Sequence, residues 1–163
     1  MLEIEDRGFI IGASIDLERK ISDNRYEIRV TNQLAIPSAI GTASDGGGAS
    51  EDTYINLTAT GESILDIDQD MDKQTSKSPF FQHLKVLIIS EELARIPNLF
   101  ENVLDIHIRG TEFRRGIKVL ISSGDAKEII DIKPMDEKLP SMYINKILEQ
   151  TDMLSEVTNA LSI

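Results

Sequence analysis

The groups in this 163-residue chain that could do chemistry are few: two histidines, a run of aspartates, a triple glycine, some serines and one arginine cluster. There is no cysteine, which removes disulfides, thiolate nucleophiles and thiolate metal sites together. Asp66, Asp68, Asp70 and Asp72 are spaced like the opening of a calcium loop. Such a loop needs glycine at its sixth position and glutamate at its twelfth; counting from Asp66 these are Met71 and Lys77. On a helix, residues two apart do not share a face. The four acids therefore describe a solvated helix surface and not an ion site.

Gly46-Gly47-Gly48 lacks the Gly-Lys-Ser/Thr ending of a phosphate cradle, since Ala49, Ser50 and Glu51 follow. It reads as a flexible loop, with partner contact as its functional version. Ser14, in Gly12-Ala13-Ser14-Ile15-Asp16, has aspartate where a nucleophile elbow needs glycine. Ser63, in Gly61-Glu62-Ser63, belongs to a helix start. His83 and His107 have no partners at catalytic or metal-ligand spacing, and His107 lies on an apolar helical stripe four residues after Val103. Both are expected to be packed, hydrogen-bonded residues. Arg109, Arg114 and Arg115 form the one basic cluster. Arg109 would complement a helix C-terminus, and the cluster as a whole is a candidate partner contact. Gly46, Gly47, Gly48, Arg109, Arg114 and Arg115 are thus the candidate contact residues. No catalytic, cofactor-binding or metal-binding residue is identified.

The elements that would position these groups follow from hydrophobic period. Arg7–Asp16 alternates as a strand whose second face is rich in glycine, so close packing against that face is expected. Tyr26, Ile28 and Val30 mark a second strand, joined to the first by a polar connection of some length, and Tyr54–Ala59 marks a third. Residues 37–52, with Pro37, Gly41 and the triple glycine, are expected to form a long loop. A helix is expected from Gly61 to about Thr75 with Thr60 as its cap, then a doubly buried strand over His83–Ile89. A short turn at Ser90–Leu93 precedes a helix from Pro97 to Arg109. Ile117–Ile121 is a strand, Ser123 caps a helix through Ala126–Ile130, and a last helix runs from Ser141 to about Gln150. The order predicts a mixed α/β (α+β) fold: a mixed sheet of about five strands with helical cover. Residues 1–150 are expected to be the domain, and 151–163 a tail or the start of a connection to further domains.

The 28 acids and 17 bases leave a net charge of −11, which excludes a nucleic-acid-binding surface and electrostatic attachment to anionic lipid. No apolar run approaches the roughly 20 residues needed to span a bilayer. The acidic opening Met1–Asp6 does not read as a signal peptide.

Several blocks, in order, resemble the N-terminal region of Ger(x)C proteins, the C subunits of spore germinant receptors. They are Glu3–Asp6 with Ile10–Asp16, the glycine-rich segment before Tyr54, Thr58–Ile64, and above all Phe81–Ala94, similar to that family's HLK-apolar-EELA signature. Val103-Leu104-Asp105, Glu112–Arg115, Val119–Ile121 and Gly124–Ile129 continue the series. His107 and Gly110 depart from the family's usual aromatic and aspartate. The resemblance implies a larger, non-enzymatic lipoprotein with an acylated cysteine upstream and further C-terminal domains. It also implies a place on the outer face of the spore inner membrane and contacts with the receptor's A and B membrane subunits. Direct binding of a small-molecule germinant is the alternative, and a carboxylate-based hydrolase would need a facing pair of acids that sequence does not show.

Overall fold

The computed structural model describes residues 7–36, 53–109, 116–135 and 137–154. The expected loop over residues 37–52 lies outside them. A mixed sheet forms the centre. Strands β1 (Arg7–Ser22) and β2 (Arg25–Ala35) make an antiparallel hairpin, and β3 (Tyr54–Gly61) pairs antiparallel with β2. On the other side of β1 lie β4 (Ser78–Phe80) and β5 (Val86–Ser90), end to end and both parallel to it, and β6 (Lys118–Ser122) closes that side parallel to β5. The path is β3-β2-β1-β5-β6, with β4 as a sixth strand.

Helices cover both faces. On one face α1 (Ile64–Asp72), α2 (Glu91–Ala94) and α3 (Pro97–Arg109) deliver Ile67, Met71, Leu93 and Val103 onto Ile10, Ala13, Ile15, Val30, Leu87 and Ile89. On the other, α4 (Ala126–Ile130) and α5 (Pro140–Leu154) bring Ala126, Ile130 and Ile144 against Val86 and Ile88. The run Val86-Leu87-Ile88-Ile89 is fully buried, as expected of a parallel strand between two helical layers. Each such side chain contributes about 1.5–3 kcal/mol by leaving water.

Several boundaries differ from expectation. The polar stretch after Asp16 is strand, not a connection of some length: pairing runs to Ser22↔Arg25, leaving a two-residue turn at Asp23-Asn24. Because β5 reaches only Gly12–Ile15, the outer half of the hairpin has polar residues on both faces and projects as an exposed ribbon, which hides it from a period-two search. Helix α1 begins at Ile64, and its cap is Ser63, not Thr60; the Ser63 hydroxyl accepts from the Asp66 amide at 3.2 Å. His83 is not in β5, which starts at Val86; it sits in a turn against Phe9 and Phe80, with ring centroids 5.3 and 5.8 Å away. Ser123 does not cap α4, whose first amides are held from a distant strand. Pro97 and Pro140 each occupy a first helical position, where a missing N–H costs nothing.

Candidate functional site

Of the six candidate contact residues, Gly46, Gly47, Gly48, Arg114 and Arg115 lie outside the described residues. Arg109 ends α3, exposed, with its guanidinium 3.4 Å from the Asp105 carboxylate one turn earlier. His107 is buried, and its Nδ1 donates to the Val103 carbonyl at 2.8 Å. Burial lowers its pKa, and the bond to the carbonyl offsets this in part. The packed reading of His107 therefore describes the residue. Among Asp66, Asp68, Asp70 and Asp72 only Asp68 is half-buried, the rest being exposed, and no three metal-ligating side chains converge among the described residues.

The second face of the sheet carries a file of buried polar groups that period reading did not foresee. Asp16 on β1 accepts from the backbone amides of Ala126 and Lys127 at 2.6 and 3.1 Å, so it caps α4. Arg29, opposite Asp16 on β2, approaches Asp16, Glu18 and Asp125 at 3.7, 3.2 and 3.6 Å. Gln33, wholly buried, donates to Asn56 and to the Ile130 carbonyl, and accepts from both the amide and the hydroxyl of Ser141. Asn56 donates onward to Asp131. These bonds tie α4 and α5 to the sheet. Ser14, on the same face, has no histidine beside it: the sheet separates it from α3, which carries His107. Its hydroxyl is buried without a partner.

The first face holds a cleft of about 250 Å³ beneath α1. Ile10, Leu34 and Leu57 form its floor, Met71, Pro79 and Phe81 its walls, and Asn32, Thr75, Asp68 and Asp72 bring polar atoms to it. Asn32 takes an inward position on β2 otherwise filled by Ile28, Val30 and Leu34, and its amide donates to the Met71 sulfur at 3.1 Å. A polar residue at an inward position of an alternating strand is the sequence signal that could have located this cleft.

Nearly the whole chain, residues 1–160, matches the family model described as the spore germination protein N-terminal domain. The chain belongs to this family. It is the N-terminal domain type of Ger(x)C proteins, as the ordered blocks implied. This germination domain is 26% identical over 99% of its length to spore germination protein YndF of Bacillus subtilis, covering 43% of that protein. It is 27% identical over 92% of its length to spore germination protein KC of the same organism, covering 36% of it. The germination domain thus spans less than half the length of these curated relatives. No solved structure matches it significantly. A role in spore germination follows from the family.

Proposed function

We propose that this chain is the N-terminal domain of the C subunit of a nutrient germinant receptor, acting through protein contacts and not by catalysis. The observation that carries the reading is the family match over residues 1–160, joined by the relationship to spore germination protein KC. In support, two of the polar groups most deeply buried in the sheet, Gln33 and Asp16, are engaged in fastening helices. The domain is taken as residues 1–150, with 151–163 leading toward further domains. No helix among the described residues is long and apolar enough to cross a membrane, and the net charge of −11 opposes anionic lipid. The reading therefore calls for an acylated cysteine upstream, at the outer face of the spore inner membrane. A single acyl chain anchors marginally, and contacts with the A and B membrane subunits supply the rest.

The test is nutrient-triggered loss of optical density in spores lacking the gene. Such spores are expected to fail with one nutrient class and to germinate normally with a receptor-independent trigger. Normal responses to every nutrient, in a strain also stripped of paralogous receptors, would overturn the reading. Arg109→Glu with Arg114→Glu and Arg115→Glu, and separately glutamate at Gly46, Gly47 and Gly48, test the contact residues. If both sets leave assembly and germination intact, the contacts lie elsewhere.

A second reading, direct binding of a small molecule, is favoured by the cleft beneath α1, which has an apolar floor and a few convergent polar groups.

A further inference from the structure

The two faces of the sheet are covered by different means. On the first, fourteen buried hydrophobic residues among those described pack into one cluster. On the second only five do, Val86 and Ile88 from β5 and Ala126, Ile130 and Ile144 from the helices. Burial of apolar area is the main source of attachment between layers, so α4 and α5 are held with less of it. At five residues α4 is also too short to persist as a helix without packing. Side-chain bonds from the strands complete the attachment: Asp16 of β1, Gln33 of β2 and Asn56 of β3 all reach this layer.

These fastenings meet at Gln33. Its side chain is fully buried, and both donor positions and both acceptor positions of its amide are filled. Its Nε2 donates to Asn56 Oδ1 and to the Ile130 carbonyl, each at 3.0 Å. Its Oε1 accepts from the Ser141 amide at 2.9 Å and from the Ser141 hydroxyl at 2.7 Å. Ile130 ends α4 and Ser141 lies in the first turn of α5, so one side chain holds both helices. Departure of either helix alone would leave a buried amide half satisfied, which is costly, whereas departure of both gives that amide to water. Joint release is therefore the easier course. Gly124, just before α4, has open space where a Cβ would stand, which leaves the strand-to-helix link room to pivot.

We propose that α4 and α5 form a flap that opens from the sheet as one unit while the rest of the domain stays folded, with Gln33 as its latch. Opening uncovers the strip Gly12, Ser14, Val86 and Ile88, which is otherwise sealed. Such partial opening is the behaviour of an element with few buried apolar contacts. The inference stands apart from the receptor reading, so spore phenotypes do not decide it.

The test is native-state amide exchange of the 163-residue chain, followed by NMR in low urea, with the variants Gln33→Met and Val103→Ala. The amides of Ala126, Ile130, Ile144 and Asn145 are expected to share one opening equilibrium and one urea slope. That opening should be at least about tenfold more frequent than the one exposing Ile15 and Leu87, with a smaller slope. Val103 is buried on the first face, whose packing persists when the flap opens. Val103→Ala is thus expected to speed exchange at Ile15 and Leu87 by about tenfold or more, and to leave the flap amides within about twofold. Gln33→Met keeps the size of the side chain and removes the latch, and should speed the flap amides about tenfold, equally in α4 and α5. If Val103→Ala speeds the flap amides as much as those of the sheet, the helices leave only with the whole domain and the proposal is wrong. An unequal response of α4 and α5 to Gln33→Met would show two separate elements and overturn it as well.

Discussion

Asp16 caps a helix that begins 110 residues after it, its two carboxylate oxygens accepting the backbone amides of Ala126 and Lys127 at 2.6 and 3.1 Å. The residue in the usual cap position, Asp125, makes no side-chain cap bond. One buried carboxylate thereby joins the central strand to α4 and holds the partial positive charge of the first turn.

Asp16→Asn is expected to lower unfolding free energy by about 2 kcal/mol, the scale of charged hydrogen bonds and caps. Asp125→Ala, which removes an exposed side chain, is expected to cost less than about 0.5 kcal/mol. Urea denaturation of both variants checks this. Equal costs would mean that the distant carboxylate is not the effective cap.

Gly12 lets α5 approach the sheet. A Cβ at that position would stand 1.9 Å from the Ser141 hydroxyl oxygen and 2.7 Å from the Ser141 Cβ. Gly12→Ala is therefore expected to destabilise by about 1–3 kcal/mol through overpacking. Ser141→Gly relieves the clash, so the double variant should be more stable than the sum of the two single losses predicts. Simple additivity in denaturation midpoints would contradict the contact.

Ser14 gives the opposite sign. Its hydroxyl is buried and unpartnered, and such a group costs about 1–3 kcal/mol to desolvate. Ser14→Ala is expected to leave stability unchanged or raise it by up to about 1 kcal/mol. A loss comparable to that of Asp16→Asn would show that the hydroxyl makes a bond of consequence.

His107 makes stability depend on mild acid. In the unfolded chain an imidazole takes up a proton near pH ~6.5, whereas burial keeps His107 neutral to lower pH in the folded protein. Between those two values the unfolded state binds more protons, so stability falls as pH drops below about 6.5 and is unaffected by this residue above it. His107→Gln is expected to flatten the fall between pH 7 and pH 5 in urea titrations, whatever its cost at neutral pH. An unchanged slope would remove His107 as its source.

Much of the sheet was legible because its strands obey local rules. The buried run Val86–Ile89 and the alternation through Ile10–Ile15 announce their burial by side-chain type, and Pro97 announces the start of α3. The projecting half of the β1–β2 hairpin was not legible. It is strand because it pairs across a two-residue turn, while its composition is that of a loop. The short β4 was missed for a similar reason: Ser78–Phe80 becomes strand only by lying along Arg7–Phe9.

The sequence by itself determined the family, the mixed α/β class, the acidic surface and the expectation that something packs closely on the glycine-bearing face of β1. Those properties are written in residue type, order and period. Only the tertiary structure decided that Asp16 caps α4, that Gln33 joins β2 to α4 and α5, and that Asn32 lines a cleft. Each of these depends on a partner far along the chain, and a side chain's chemistry does not say which distant backbone group will come within 3 Å of it. Hydrophobic period places a residue on a face; the packing of the opposite layer assigns it a partner.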